Sequence, residues 1–272
     1  MVYCGYQLAV GTRDELPGEE GLAHFCEHMT FKGTERRHAL QVINALEGVG
    51  GELNAFTNKE DTVFYAAISK EHFMHAVDVL TDIVFHSTYP QQEIDKEVEV
   101  ICDEIESYND SPAELIYDEF ENIIFEGHPL GHNILGQADH IRNYTTEDAL
   151  RFVRRHYHPA NAVFFVYGDI DFKRLVRTLK NADFPEKSER QDSAAMPLTE
   201  ASRAEKTITR QRGTHQAHVT IGTRGYQYDD PRRMTLYLLN NMIGGPGMNA
   251  RLNLSLRKLR SEERRVGKEC RS

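Results

Sequence analysis

The stretch Gly21-Leu22-Ala23-His24-Phe25-Cys26-Glu27-His28-Met29-Thr30-Phe31-Lys32-Gly33 decides how the chain is read. Its residues predict a helix over Glu19 to Phe31, with Gly33 just past the end as a stop signal. Positions i and i+4 lie on one helical face, so the imidazoles of His24 and His28 can reach a single metal ion. Glu27 lies one turn from His24 on the same side, where a carboxylate can take a proton from a metal-activated water. The competing reading is two surface histidines flanking a helix glutamate.

A third ligand has to come from another element, because catalytic zinc usually takes three protein ligands and leaves one position for water. A predicted helix from Pro90 to about Tyr108 offers it. Ile94, Val98, Ile101 and Ile105 form its apolar stripe, and Glu97 and Glu104, two turns apart, stack on one flank beside that stripe. Glu99 and Asp103 point further round, toward solvent. Glu104 can therefore bind a metal while Glu97 orients a ligand from behind. His-x-x-Glu-His itself is the inverted form of the zincin motif.

The remaining pattern is α+β. Residues 2–11 alternate as a strand. Ala39–Leu46 reads as a helix closed by Gly48, Gly50 and Gly51. Glu52–Thr57 and Thr62–Ile68 read as a hairpin around Asn58-Lys-Glu-Asp61. Helices are expected over Lys70–Phe85, Ser111–Phe125, Thr146–Tyr157 and Phe172–Lys180, and a buried strand over Ala162–Tyr167. A polar, Pro-containing segment from Phe184 to Glu205 reads as a linker. After it the organisation restarts, with a strand over Ala217–Thr223 and a helix over Met234–Ile243 ending in Gly244-Gly245. Aligning Met242 with Met29 sets Tyr237, Asn240 and Asn241 against His24, Glu27 and His28, so this second copy lacks the metal set.

Composition narrows the class. The chain has 272 residues, with 40% hydrophobic and 27% charged, as in soluble globular proteins. A net charge of −10 argues against a general nucleic-acid binder, which needs a basic face. No apolar run approaches the roughly 20 residues of a membrane helix. Gln91–Glu126 alone carries thirteen acidic residues and one Lys. Four scattered Cys do not make a disulfide scaffold and favour the cytoplasm. Cys26 and Cys102 read as packing residues, His156 and His158 as structural, and His128 with His132 as a poorly held second metal pair.

The motif with its flanks, Gly21-Leu-Ala-His24 and Met29-Thr-Phe-Lys-Gly33-Thr, resembles the pitrilysin/insulinase family of zinc peptidases, which includes the mitochondrial processing peptidases and bacterial relatives. Further matches are Gly50-Gly-Glu-Leu-Asn-Ala-Phe-Thr57, Glu60-Asp-Thr-Val-Phe-Tyr65, Glu97-Val-Glu-Val-Ile-Cys-Asp-Glu104, His158-Pro-Ala-Asn161, Gly168-Asp-Ile170 and Gly244-Gly-Pro-Gly-Met-Asn-Ala-Arg-Leu252. The resemblance runs from residue 2 to about 257. It implies His24, His28 and Glu104 as ligands of one zinc per chain, Glu27 as general base, and Glu97 as the carboxylate behind the ligands. It also implies that Asn54, Ala55, Phe56 and Thr57 lie on an edge strand that pairs with the substrate backbone, with Arg257 reaching the site from the second domain.

The implied fold is a tandem repeat of a domain with a largely antiparallel sheet packed by helices. Residues 1–183 would form the zinc-binding peptidase domain, 184–205 the linker and 206–257 the start of the homologous second domain. The chain opens at once on a strand pattern, and residues 258–272 lose the apolar periodicity and the family match. A frame cut at both ends, with an artefactual tail, is therefore expected. The expected function is zinc-dependent hydrolysis of peptides or unfolded segments, with the peptide substrate as partner and a homo- or heterodimer with a family member as the possible assembly. The alternatives are a non-catalytic presequence-binding or assembly subunit, and an inactive zinc-binding fragment.

Overall fold

Val2, Cys4, Tyr6 and Leu8 are buried while Tyr3 and Gln7 between them are exposed, and this alternation makes the first strand, β1 (Val2–Leu8). The computed structural model describes residues 1–185, 206–213 and 215–259, with side chains through 255. These fall into two units, Met1–Glu200 and Ala201–Ser272.

The first unit continues with α1 (Leu22–Thr30), α2 (Ala39–Glu47), β2 (Glu52–Thr57), β3 (Thr62–Ile68) and α3 (Phe73–His86). Next come α4 (Gln91–Asn109), α5 (Pro112–Ile124), α6 (Ala138–Ile141), α7 (Thr146–His156), β4 (Ala162–Gly168) and α8 (Phe172–Lys180). The strands form one sheet in the order β2-β3-β1-β4, antiparallel throughout. The hairpin register runs from Glu52↔Ala67 to Thr57↔Thr62. Helix α3 packs on β1 and β3, where Tyr6 Oη and Thr81 Oγ1 share a 2.9 Å hydrogen bond inside the core. Tyr6 also meets Phe85 and Phe164 edge-on, at 5.1 and 4.9 Å between ring centres. Helix α1 packs against α4, α7 and β2.

Helix α1 is pinned at both ends. Gly21, its N-cap, has φ +92°, a left-handed conformation that side chains resist. For that reason the helix begins at Leu22, three residues later than the apolar pattern predicts. Gly21 and Gly136 also touch backbone to backbone: a Cβ on Gly21 would stand 2.8 Å from Gly136 Cα and from the Leu135 carbonyl. The Glu15 carboxylate accepts from the N–H groups of Gly21 (3.1 Å) and Ala23 (2.8 Å), supplying two of the partners a helix start lacks. Beyond the other end, the loop Gly33–His38 is tied to α3 by the fully buried Asp82, which accepts from Thr34 Oγ1 (2.8 Å), Arg36 Nε (3.1 Å) and Arg37 Nη1.

Three expected strands differ. The first ends at Leu8 and not at residue 11, because the chain turns there into a short 3-10 turn, Thr12–Asp14, capped by Gly11. Ala162–Tyr167 is a strand, but an edge strand and not a buried one: Ala162, Phe164 and Val166 pack toward the core while Val163 and Tyr167 are 64% and 78% exposed. A continuous apolar run cannot by itself distinguish a central strand from an edge. Ala217–Thr223 is not a strand. It forms no strand ladder with the described residues, Val219 and Ile221 are exposed, and a strand needs a neighbouring strand for its N–H and C=O groups. Among the described residues the second unit holds two helices, α9 (Arg233–Gly244) and α10 (Arg251–Leu259). Most of the expected linker (186–205) and most of the expected tail (260–272) lie outside the described residues.

Replacing Gly21 by Ala forces a side chain into the left-handed region and into the 135–136 backbone. Gly21→Ala should lower the urea-unfolding stability by about 2 kcal/mol or more; an unchanged midpoint contradicts the pinning of α1.

Candidate metal centre

Helix α1 presents His24 and His28 on successive turns, with ring centres 4.6 Å apart. Helix α4 crosses α1 and brings Glu104 to both. Glu104 Oε2 lies 3.4 Å from His28 Nε2, and Oε1 lies 3.9 Å from His24 Nε2. One donor atom from each of the three residues lies within 4.8 Å of the other two. Ligands about 2.1 Å from a tetrahedral zinc stand about 3.4 Å apart, so the spacing and the nitrogen, nitrogen, oxygen donor set both fit zinc. Among the described residues this is the one such group of three, and the loop histidines His128 and His132 do not make another. His132 instead pairs with Glu15, 2.7 Å from Nε2 to Oε2.

Glu97 stands behind His28. Its Oε1 lies 3.1 Å from His28 Nδ1, which directs Nε2 toward Glu104, and its Oε2 pairs with Lys32 Nζ at 2.5 Å. Lys32 was not singled out by the sequence; the signal was its place one turn past His28. His24 lacks such support, because its Nδ1 is buried without a hydrogen-bond partner among the described residues. Glu97 is buried, as its flank position predicts, whereas Glu104 keeps 46% of its side chain exposed. Cys26 and Cys102 are buried free thiols.

Glu27 is buried beside this group, and its Oε2 accepts from Thr57 Oγ1 at 2.5 Å. Asn54, Ala55, Phe56 and Thr57 lie on β2, the other edge of the sheet. The Asn54 side-chain oxygen accepts from the Ala55 N–H at 2.8 Å, Phe56 is exposed, and the Thr57 side chain turns inward. Arg257 lies on α10, with its side chain outside the described part.

The charges are unequal. Burial lowers His24 to about 4, helped by the neighbouring His28 and opposed by Glu104. Burial also disfavours the His28 cation, but hydrogen bonds to Glu104 and Glu97 outweigh it and raise His28 to about 9. Glu104 is lowered, first by its bond to His28. Glu97 is lowered because His28 and Lys32 overcome its burial. Glu27 is raised by burial, which the Thr57 bond only partly offsets.

Residues 1–138 match the model of the insulinase family (peptidase family M16), and residues 143–261 match the model of the M16 inactive domain. The chain belongs to the M16 peptidase family. The expected α+β tandem architecture is borne out, with two M16 domains in succession. A Streptomyces coelicolor protein named an uncharacterized zinc protease is 37% identical over 264 residues, covering 94% of this chain and 57% of the relative. The uncharacterized zinc protease YmxG of Bacillus subtilis is 33% identical, covering 94% and 62%. This M16 chain thus spans about three fifths of the length of the curated relatives it matches. The fold also matches a protease from Helicobacter pylori, with TM-score 0.74, 20% identity, and coverage of 95% of this chain and 63% of that one. It matches the Escherichia coli periplasmic protease PqqL with TM-score 0.67, 24% identity, and coverage of 73% and 23%. No helix among the described residues is long and apolar enough to cross a membrane.

A metal ligand must be unprotonated, yet His28 is held as a cation near neutrality. Zinc binding at pH 7 should release about one proton per ion, and affinity should rise with pH until His28 titrates near 9. Calorimetry in buffers of different ionisation enthalpy reads this directly; zinc binding with no proton release contradicts the raised His28 in the metal-free site.

Proposed function

We propose that the protein is a zinc-dependent endopeptidase acting on peptides or unfolded protein segments. In this reading His24, His28 and Glu104 hold one zinc per chain and Glu27 is the general base. The observation that carries it is the convergence of two imidazoles and a carboxylate from α1 and α4, beside a buried carboxylate that binds none of them. When bound, zinc supplies a Lewis acid and lowers the pKa of water there to about 7.

The chain's own groups do the rest. Glu27, raised by burial, takes the proton of the attacking water and returns it to the leaving amine. Glu97 fixes His28 through Nδ1, and Lys32 occupies the other Glu97 oxygen, so the imidazole is oriented before anything binds. The edge of β2, unpaired among the described residues, suits an extended peptide, which would add as a further antiparallel strand once its backbone displaces the Asn54 side chain from the Ala55 N–H. The non-catalytic reading has less support, because every residue of the expected catalytic set is present.

Glu27→Gln keeps the shape and the hydrogen-bond acceptor but loses the base. It should retain zinc while its hydrolysis of internally quenched random-sequence peptides falls by about a thousandfold. Wild-type turnover in that variant overturns the proposed mechanism.

A further inference from the structure

Glu27 has a mechanical problem. The last torsion of a glutamate turns an sp2 carboxylate on an sp3 carbon and is broad, so packing the methylenes does not fix the carboxylate plane. A base has to present one oxygen in one direction, and small misplacements are costly. Among the described residues, one hydrogen bond reaches this carboxylate, and it comes from Thr57.

Thr57 is well suited to hold it. It is the last residue of β2 and pairs across the hairpin with Thr62 of β3. Thr62 is fully buried, and its own hydroxyl donates to the Val10 carbonyl at 2.9 Å, so the pair is anchored to the body of the sheet. A β-branched side chain in a strand has a stiff χ1. Thr57 is 8% exposed, and its hydroxyl has a single proton to donate. That proton goes to Glu27 Oε2 at 2.5 Å, so it is not available to a substrate.

We infer that Thr57 is a positioning residue for Glu27: its hydroxyl ties down Oε2 and leaves Oε1 as the oxygen that exchanges a proton with the reacting water. This goes beyond an edge-strand role, in which Thr57 would act through its backbone. The inference rests on Glu27 being the base, and it links the strand that would hold the substrate to the group that would perform the chemistry. A peptide seated on β2 and the base on α1 would then share one rigid reference, the end of the hairpin.

The test uses Thr57→Val, which keeps the branched shape without the hydroxyl, and Thr57→Ser, which keeps the hydroxyl. With an internally quenched peptide that the wild-type chain cleaves, Thr57→Val should lose about tenfold or more in kcat. KM and zinc content should stay unchanged, and Thr57→Ser should recover most of the loss. A proportional rise in KM, or a Thr57→Ser variant as poor as Thr57→Val, assigns Thr57 to substrate binding or packing and overturns the inference. Crystal structures of the same variants give a readout that needs no turnover. The Glu27 carboxylate should rotate or split into two orientations in Thr57→Val and stay single in Thr57→Ser; an unmoved Glu27 in Thr57→Val overturns the inference even if the wild-type chain cleaves no peptide. If Thr57→Val does not fold, Thr57→Ala is read in the same way.

Discussion

The position at which helix α1 starts controls the rest of the site. One residue of slip would turn His24, Glu27 and His28 by about 100° and carry all three off the face that meets α4. The start is set by contacts outside the helix. Glu15 reaches up from the preceding loop to accept the N–H groups of Gly21 and Ala23, and the glycine pair Gly21 and Gly136 lets two backbones touch where a Cβ would not fit. Two further carboxylates brace the same loop: Glu19 accepts from the Leu16 N–H at 3.0 Å and from Arg155, and Glu20 lies 3.2 Å from His140. The acidic residues just before the motif therefore act as helix-start hardware, and His24 follows one residue after the last of these contacts.

A second constraint is electrostatic. Glu27, Glu97 and Glu104 converge on two histidines in a partly buried space, and like charges brought together out of water repel strongly unless each is matched. The structure separates their partners. Glu97 is shared between Lys32 and His28, Glu104 leans on His28, and Glu27, among the described residues, takes its hydrogen bond from the neutral Thr57 hydroxyl. Glu27 is consequently the carboxylate that is raised while the other two are lowered. Three carboxylates of one type thus acquire different properties from their surroundings, which is the separation a base, a ligand and an orienting group require. His28, raised by its bonds to Glu104 and Glu97, stands where a dication would take over a positive charge.

The local features were legible in the sequence. The hairpin Glu52–Thr57 and Thr62–Ile68 is read to the residue, because a polar four-residue turn separates two runs of β-formers. The convergence of His24, His28 and Glu104 was legible too, since His24 and His28 share a helical face and Glu97 and Glu104 share a flank. What was hidden depends on partners distant in sequence. The Thr57 to Glu27 bond spans 30 residues and the Lys32 to Glu97 pair joins the turn after α1 to α4, and no spacing rule announces either. The late start of α1 follows from a positive φ at Gly21, which hydrophobic periodicity does not register. The Ala217–Thr223 run has the composition of a strand, but pairing, not composition, makes a strand.

The central claim is that α1 and α4 together build one zinc site. The most direct measurement is zinc content after exhaustive dialysis, on the purified chain and on His24→Ala and Glu104→Ala, each shown to be folded by circular dichroism. The site predicts about one zinc per wild-type chain and loss or severe weakening in both variants, one from each helix. A folded wild-type chain without zinc, or a Glu104→Ala variant that holds it as tightly as wild type, contradicts the claim.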